Sequence, residues 1–225
     1  MNTEILNAAT LYVTDRSSFD EQHGESLHRA YLDMLFLGAT TRPDLAETVP
    51  VTLCGWQPKA HKHGPDGLPN PGAGRENHCE CKVSTTDTNR KARGGIGNVT
   101  INDPSQSIVD EYEKLDATFL FPLFIDGHLI TILSVEWEHL RQVYADELAK
   151  LHKKNLDKKP GASAPRNFSL TTSRWIENAS IEYVHKDVDL ALRLMKAVKV
   201  TKKYIRKIEA HLLENGKLTV DHIAS

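Results

Sequence analysis

The chain has 225 residues, 40% of them hydrophobic and 26% charged, with 28 Lys and Arg against 30 Asp and Glu. This is one domain's worth of globular chain, with no run of about 18 apolar residues to cross a bilayer and no excess of positive charge, so any contact with nucleic acid has to come from locally gathered cations. The first residues carry neither a basic start nor a long apolar core, so no secretory leader and no membrane partner are expected, and Cys54, Cys79 and Cys81 are expected as free thiols in a prokaryotic cytoplasm.

Behind Ser17 or Ser18, the residues Leu27, Ala30, Tyr31, Met34, Leu35 and Leu37 recur at helical spacing and predict a helix over 17–38. The short β-branched run VPVTLCGW at 49–56 predicts a strand. Residues 58–76, rich in Pro and Gly, predict a loop or irregular hairpin, and 77–85 alternate as a strand does. Residues 86–98 are polar and basic and end in Gly94-Gly95-Ile96-Gly97; 105–116 predict a short helix. The sharpest signal lies at 118–135, where Asp126-Gly127 separates TFLFPLFI from HLITILSV. An Asp-Gly pair between two β-rich runs is the preferred type I′ hairpin turn. Both runs are apolar on both faces, which places the hairpin inside the domain, while Pro122 argues against a fully hydrogen-bonded central position. A charged amphipathic helix follows at 136–154, then a connector at 158–167 and a strand at 168–176. One long helix is predicted at about 186–214, stopped by Asn215-Gly216. Strands flanked by helices, with a hairpin in the middle and no clean βαβαβ alternation, predict an α/β or α+β domain whose mixed β-sheet is flanked by helices. A single domain over 1–225 is expected, with an N-terminal helical part at about 1–45, a core at about 46–155, and a C-terminal strand and helix at about 166–225.

The densest chemistry lies at 64–85, GPDGLPNPGAGRENHCECKVST. In a strand over 78–83, Cys79, Cys81 and Val83 point one way and His78, Glu80 and Lys82 the other. Small apolar thiols suit a core-facing row. Glu80 and Lys82 then share a face, about 7 Å apart at their Cα atoms. An antiparallel neighbour across the turn-rich loop brings Asp66 beside Glu80. Two carboxylates at that separation suit a hard divalent cation, and oxygen ligands favour Mg²⁺, which also takes substrate phosphate as a ligand. A lysine beside such an ion can hold or deprotonate an attacking water and neutralise charge on the phosphorane. This is the chemistry of phosphodiester hydrolysis.

Pro65-Asp66 followed by Glu80-Cys81-Lys82 resembles the PD-(D/E)xK motif of the nuclease superfamily that includes type II restriction endonucleases. The resemblance implies a restriction-endonuclease-like mixed sheet flanked by helices and a Mg²⁺-dependent endodeoxyribonuclease acting on double-stranded DNA. It implies metal binding by Asp66 and Glu80 with the backbone carbonyl of Cys81, and a catalytic role for Lys82. Most such enzymes are homodimers, because two-fold protein symmetry mirrors two-fold DNA symmetry. The sequence departs from the pattern at one point: the family aspartate usually begins or ends a strand, whereas Asp66 sits in a Gly/Pro-rich loop. Asp44 or Glu47 stands as a substitute for it, and an N-terminal glutamate such as Glu25 as an additional ligand. A second acidic-x-Lys triplet, Asp157-Lys158-Lys159, lacks the strand context.

Arg90, Lys91 and Arg93 form a compact cationic stretch before the glycines and are expected to meet DNA phosphates. In the last helix, Lys196, Lys199, Lys203 and Arg206 recur opposite an apolar stripe; they read first as a solvated face and second as a phosphate contact. Two other functions stay open. One is a repair or recombination nuclease of the same superfamily. The other is a non-catalytic zinc- or DNA-binding protein using His61, His63, His78 and the cysteines, although Cys-x-Cys lacks the paired spacing usual in structural zinc sites.

Overall fold

A computed structural model of the chain describes residues 3–23, 44–59, 64–89, 98–157 and 163–218. Its centre is the expected hairpin: β6 (Thr118–Ile125) and β7 (His128–Glu136) pair antiparallel, and Asp126 (φ 50°) and Gly127 (φ 74°) both occupy the left-handed region that a type I′ turn requires. Every residue of β6 is buried. Around the hairpin lies a mixed seven-stranded sheet in the order β1 (Gln57–Pro58), β2 (Gly67–Leu68), β3 (Cys79–Cys81), β6, β7 and β9 (Ser180–Val184), with β4 (Ser84–Thr86) continuing beyond β3 along β6. The β3–β6 and β4–β6 pairs are parallel and the others antiparallel. The fold is therefore the expected mixed α/β sheet with helices around it.

The two-residue period of β6 sends its side chains into two separate cores. Leu120 and Phe124 pack with α1 (Thr3–Thr14), α2 (Arg16–His23) and α3 (Asp44–Leu53) through Tyr12, Phe19 and Val49. Phe119, Phe121, Leu123 and Ile125 enter the larger core on the opposite face. That core is closed by α4 (Gln106–Leu115), α5 (Trp137–Leu156), α6 (Val188–Ala197), α7 (Lys202–Glu214) and the two-stranded sheet β5 (Val99–Asn102) with β8 (Asn167–Leu170). A bulge between Leu123 and Phe124 pairs them with Thr131 and Leu129, leaving Ile130 as the extra residue of β7. The hairpin therefore lies inside the domain, as its apolarity on both faces requires.

Pro122 sits within this central strand, yet its ladder is incomplete where expected. The Thr118 N–H donates to the His78 carbonyl (2.9 Å), and the Asp126 N–H donates to the Thr86 carbonyl (3.1 Å), at the same sequence offset. At that offset the middle rung would run from the amide of residue 122 to the Lys82 carbonyl, and proline has no N–H. The neighbouring strand accordingly breaks at Lys82-Val83, so the predicted strand over 77–85 is two short strands, β3 and β4.

Three other expectations change. Residues 49–53 end α3 instead of beginning a strand, even with Pro50 inside it. Leu45, Ala46 and Val49 recur at helical spacing, and burial of that face outweighs the β-propensity of the valines. The long helix at 186–214 is two helices: α6 ends at Ala197, and Val198 and Val200 are both buried in the turn that follows. The chain reverses through Lys199 at φ 58°, then restarts as α7, which does stop at Asn215-Gly216. The strand at 168–176 ends at Leu170 and gives way to two short 3₁₀ turns that seat buried Trp175 and Ile176. The predicted helix over 17–38 overlaps α2 as far as His23, and its remainder lies outside the described residues.

Candidate active site

The sheet order brings the two ends of the GPDG…CECK stretch together. β2 runs antiparallel to β3 with Gly67 opposite Cys79. Gly67 has to be glycine: a methyl there would overlap Cys79 Sγ and lie 3.0 Å from both Trp56 Cβ and Val51 Cγ1. This close approach seats Asp66, whose Oδ2 accepts the Cys81 N–H at 2.7 Å. The other end of β3 is anchored by Asn77, whose carbonyl accepts the Trp56 indole N–H (2.9 Å) and whose amide donates to Thr118 Oγ1 (2.8 Å).

Along β3 the faces divide as the alternation requires. Cys79 and Cys81 are buried in the core formed with the N-terminal helices, beside Cys54 and Val51. Glu80 points to the other face and is only 8% exposed. Its Oε1 pairs with the Lys82 ammonium and accepts the Tyr112 hydroxyl at 3.1 Å. Glu80 and Lys82 line a cavity of about 340 Å³ together with Glu47 of α3, Asn102 of β5, Tyr112 of α4 and Tyr144 of α5. Asp66 is outside that wall and reaches the group from the β2 side, through the backbone of Cys81. The Tyr144 hydroxyl is buried with no hydrogen-bond partner among the described residues.

Burial, then the adjacent Glu80, pushes the Asp66 carboxyl up to about 6. For Lys82, burial opposes the charge, but the Glu80 ion pair, with Asp66 and Glu47 behind it, outweighs burial and holds the ammonium above its ordinary value. Lys82 is therefore a firm cation at neutral pH, suited to stabilising negative charge. Burial and then Glu80 raise Tyr112, which stays a proton donor.

The donors fit a hard divalent cation. They are carboxylate oxygens, one just before β2 and one within β3, and the strand alternation turns the backbone of Cys81 toward Asp66 and away from β6. Among the described residues no three His, Cys, Asp or Glu side chains converge as a metal-binding group, so a cation held here would lean on two carboxylates, backbone carbonyl, water and substrate phosphate, in the manner of Mg²⁺. Burial pushes the Cys54 thiol up to about 12 and raises Cys79 and Cys81 as well.

Of the other sequence candidates, Arg90, Lys91 and Arg93, His61 and His63, and Glu25 lie outside the described residues. Glu47, weighed as a substitute for Asp66, instead lines the cavity on the Glu80 side while Asp66 keeps its own place. Nothing in the spacing of Tyr112 and Tyr144 sets them apart from ordinary core aromatics, and only the packing of α4 and α5 into the larger core brings them to the cavity at Glu80. No family model matches the chain, and no curated protein matches it.

Proposed function

We propose that the chain is a Mg²⁺-dependent endodeoxyribonuclease that hydrolyses phosphodiester bonds in double-stranded DNA, as a homodimeric type II restriction enzyme of PD-(D/E)xK type. The observation that carries this reading is the seating of Asp66, just before β2, on the Cys81 N–H of β3, between the ion-paired Glu80 and Lys82 in sequence. Asp66 and Glu80 would hold the cation with the Cys81 carbonyl, and the cation supplies positive charge at the phosphoryl oxygen and a water acidic enough to attack. Lys82 keeps its proton and neutralises charge gathering on the phosphorane. Tyr112 fixes the Glu80 carboxylate by hydrogen bonding to one of its oxygens, leaving the other for coordination.

The test is digestion of a mixed-sequence plasmid with Mg²⁺, followed by mapping of the ends. Ends at one short sequence support a restriction enzyme; ends clustered at nicks, mismatches or termini support a repair nuclease instead. Lys82→Ala is expected to abolish cleavage while leaving DNA binding within about tenfold, about 1.4 kcal/mol. Asp66→Asn and Glu80→Gln are each expected to abolish cleavage too, and to bind DNA more tightly than the parent without metal, because one of the two carboxylates that repel the phosphate is gone. Plasmid cut at the parent rate by any of the three removes that residue from the mechanism.

A further inference from the structure

The break between α6 and α7 forms a second concave site, far richer in positive charge than the chain as a whole. A cavity of about 770 Å³ opens there, with Val200 and Ile205 on its floor and Lys196, Lys199, Lys202 and Arg206 around it, against one acid, Glu209. All four cations are exposed. None makes an ion pair with another described residue, whereas their neighbours Lys203 and Lys207 are tied to Glu177, one to its carboxylate (2.6 Å) and one to its carbonyl (3.1 Å). The chain carries a net charge of −2, so this is a local concentration of charge and not a general excess. The break also aims the cations. Lys199 takes the left-handed position that ends α6, where glycine is the unstrained choice. Lys202 and Arg206, four residues apart, then stack along one face of the first turns of α7. Thr201, which precedes α7, lines the same cavity with a hydroxyl that is buried and has no hydrogen-bond partner among the described residues.

We propose that this basic groove is a docking surface for the phosphate backbone of duplex DNA, gripping the substrate away from the bond that is cut. The identity of the polyanion rests on the nuclease reading; the groove and its charge do not. Three ammonium groups and one guanidinium around an apolar floor are taken to meet phosphates and not base edges, so the contact holds and orients the duplex and adds no sequence preference.

The experiment compares three full-length proteins: the parent, a groove variant (Lys196→Gln, Lys199→Asn, Lys202→Gln, Arg206→Gln), and a control that removes four exposed cations elsewhere (Lys153→Gln, Lys154→Gln, Arg166→Gln, Lys217→Gln). Binding to a short DNA duplex is measured without Mg²⁺ over about 50 to 200 mM salt, and thermal melts confirm that all three fold. If the groove holds about four phosphates, its variant flattens the slope of log affinity against log salt by about 3 to 4. It also weakens low-salt binding by tenfold or more, and the control keeps the parent slope. A parent slope in the groove variant, an equal loss in the control, or a parent that binds anionic lipid vesicles through the groove but not DNA overturns the proposal. Cleavage with Mg²⁺ on the same proteins separates the two readings. A parent that binds with a groove-dependent slope but never cuts refutes the nuclease and leaves the groove. A parent that cuts, beside a groove variant that binds normally, refutes the groove alone.

Discussion

Asp66 is held in a conflict that the fold does not relieve. It accepts the Cys81 N–H, which favours its charge, yet burial and Glu80 push its carboxyl from the ordinary 3.8 up to about 6. Between about pH 4 and 6 the native state keeps a proton that the unfolded chain has already lost. The contribution of Asp66 to stability is therefore fully present below about pH 4 and is lost as pH rises through about 6. Asp66→Asn keeps an acceptor for Cys81 and removes the charge, so it should raise the melting temperature relative to the parent more at pH 8 than at pH 4. In the proposed metal site cation binding would run the other way, because the ligand would be the carboxylate. Mg²⁺-dependent cleavage should climb as pH passes about 6. Melts at the two pH values and a pH–rate profile check both signs; Asp66→Asn destabilising at pH 8 but not at pH 4 contradicts the conflict described.

At the scale of the elements, the position of Lys82 depends on a residue forty places away in sequence. Because residue 122 has no N–H, the Lys82 carbonyl lacks its ladder partner and the strand carrying Glu80 ends just as Lys82 begins. The Lys82 side chain stays a quarter exposed at the cavity while Glu80 is almost buried. Pro122→Val restores the missing donor. A new backbone hydrogen bond contributes about 1 kcal/mol, so the urea midpoint should hold or rise, and hydrogen exchange should show a protected amide at residue 122. Lys82, whose N–H already donates to the Leu120 carbonyl (2.8 Å), would then be tied to β6 at its carbonyl as well, and cleavage should fall by tenfold or more. An unchanged cleavage rate in a variant that does gain the protected amide would show that the break has no bearing on the site.

For the whole molecule, the consequence of a doubly buried β6 is that neither core stands alone. Leu120 and Phe121 are sequence neighbours but belong to opposite cores, and Phe121 stacks on Trp175 with ring centroids 4.2 Å apart. Truncation on either side strips packing from the same strand. Leu120→Ala is expected to cost about 2–5 kcal/mol and Phe121→Ala about 3–5 kcal/mol, each shifting one cooperative transition instead of splitting it. Two resolved transitions by calorimetry in either variant would mean that the cores fold as separate units.

What the sequence by itself determined is what depends on neighbours within one strand or one turn. The Asp126-Gly127 turn, the runs apolar on both faces, and the division of Cys79 and Cys81 from Glu80 and Lys82 all follow from a two-residue period and from the left-handed conformation of two turn residues. The tertiary structure decided what depends on residues distant in the chain. Val49 lies in a helix because Leu45 and Ala46 share its buried face, and Val198 and Val200 both reach the core where the last helix breaks. Glu47, Tyr112 and Tyr144 join the cavity at Glu80 only once α3, α4 and α5 have packed on the sheet. The groove cations at Lys199 and Lys202 converge only because the chain turns back between them. Local periodicity fixes the direction of a side chain within its own element, whereas its neighbours are set by burial free energy summed over the whole chain.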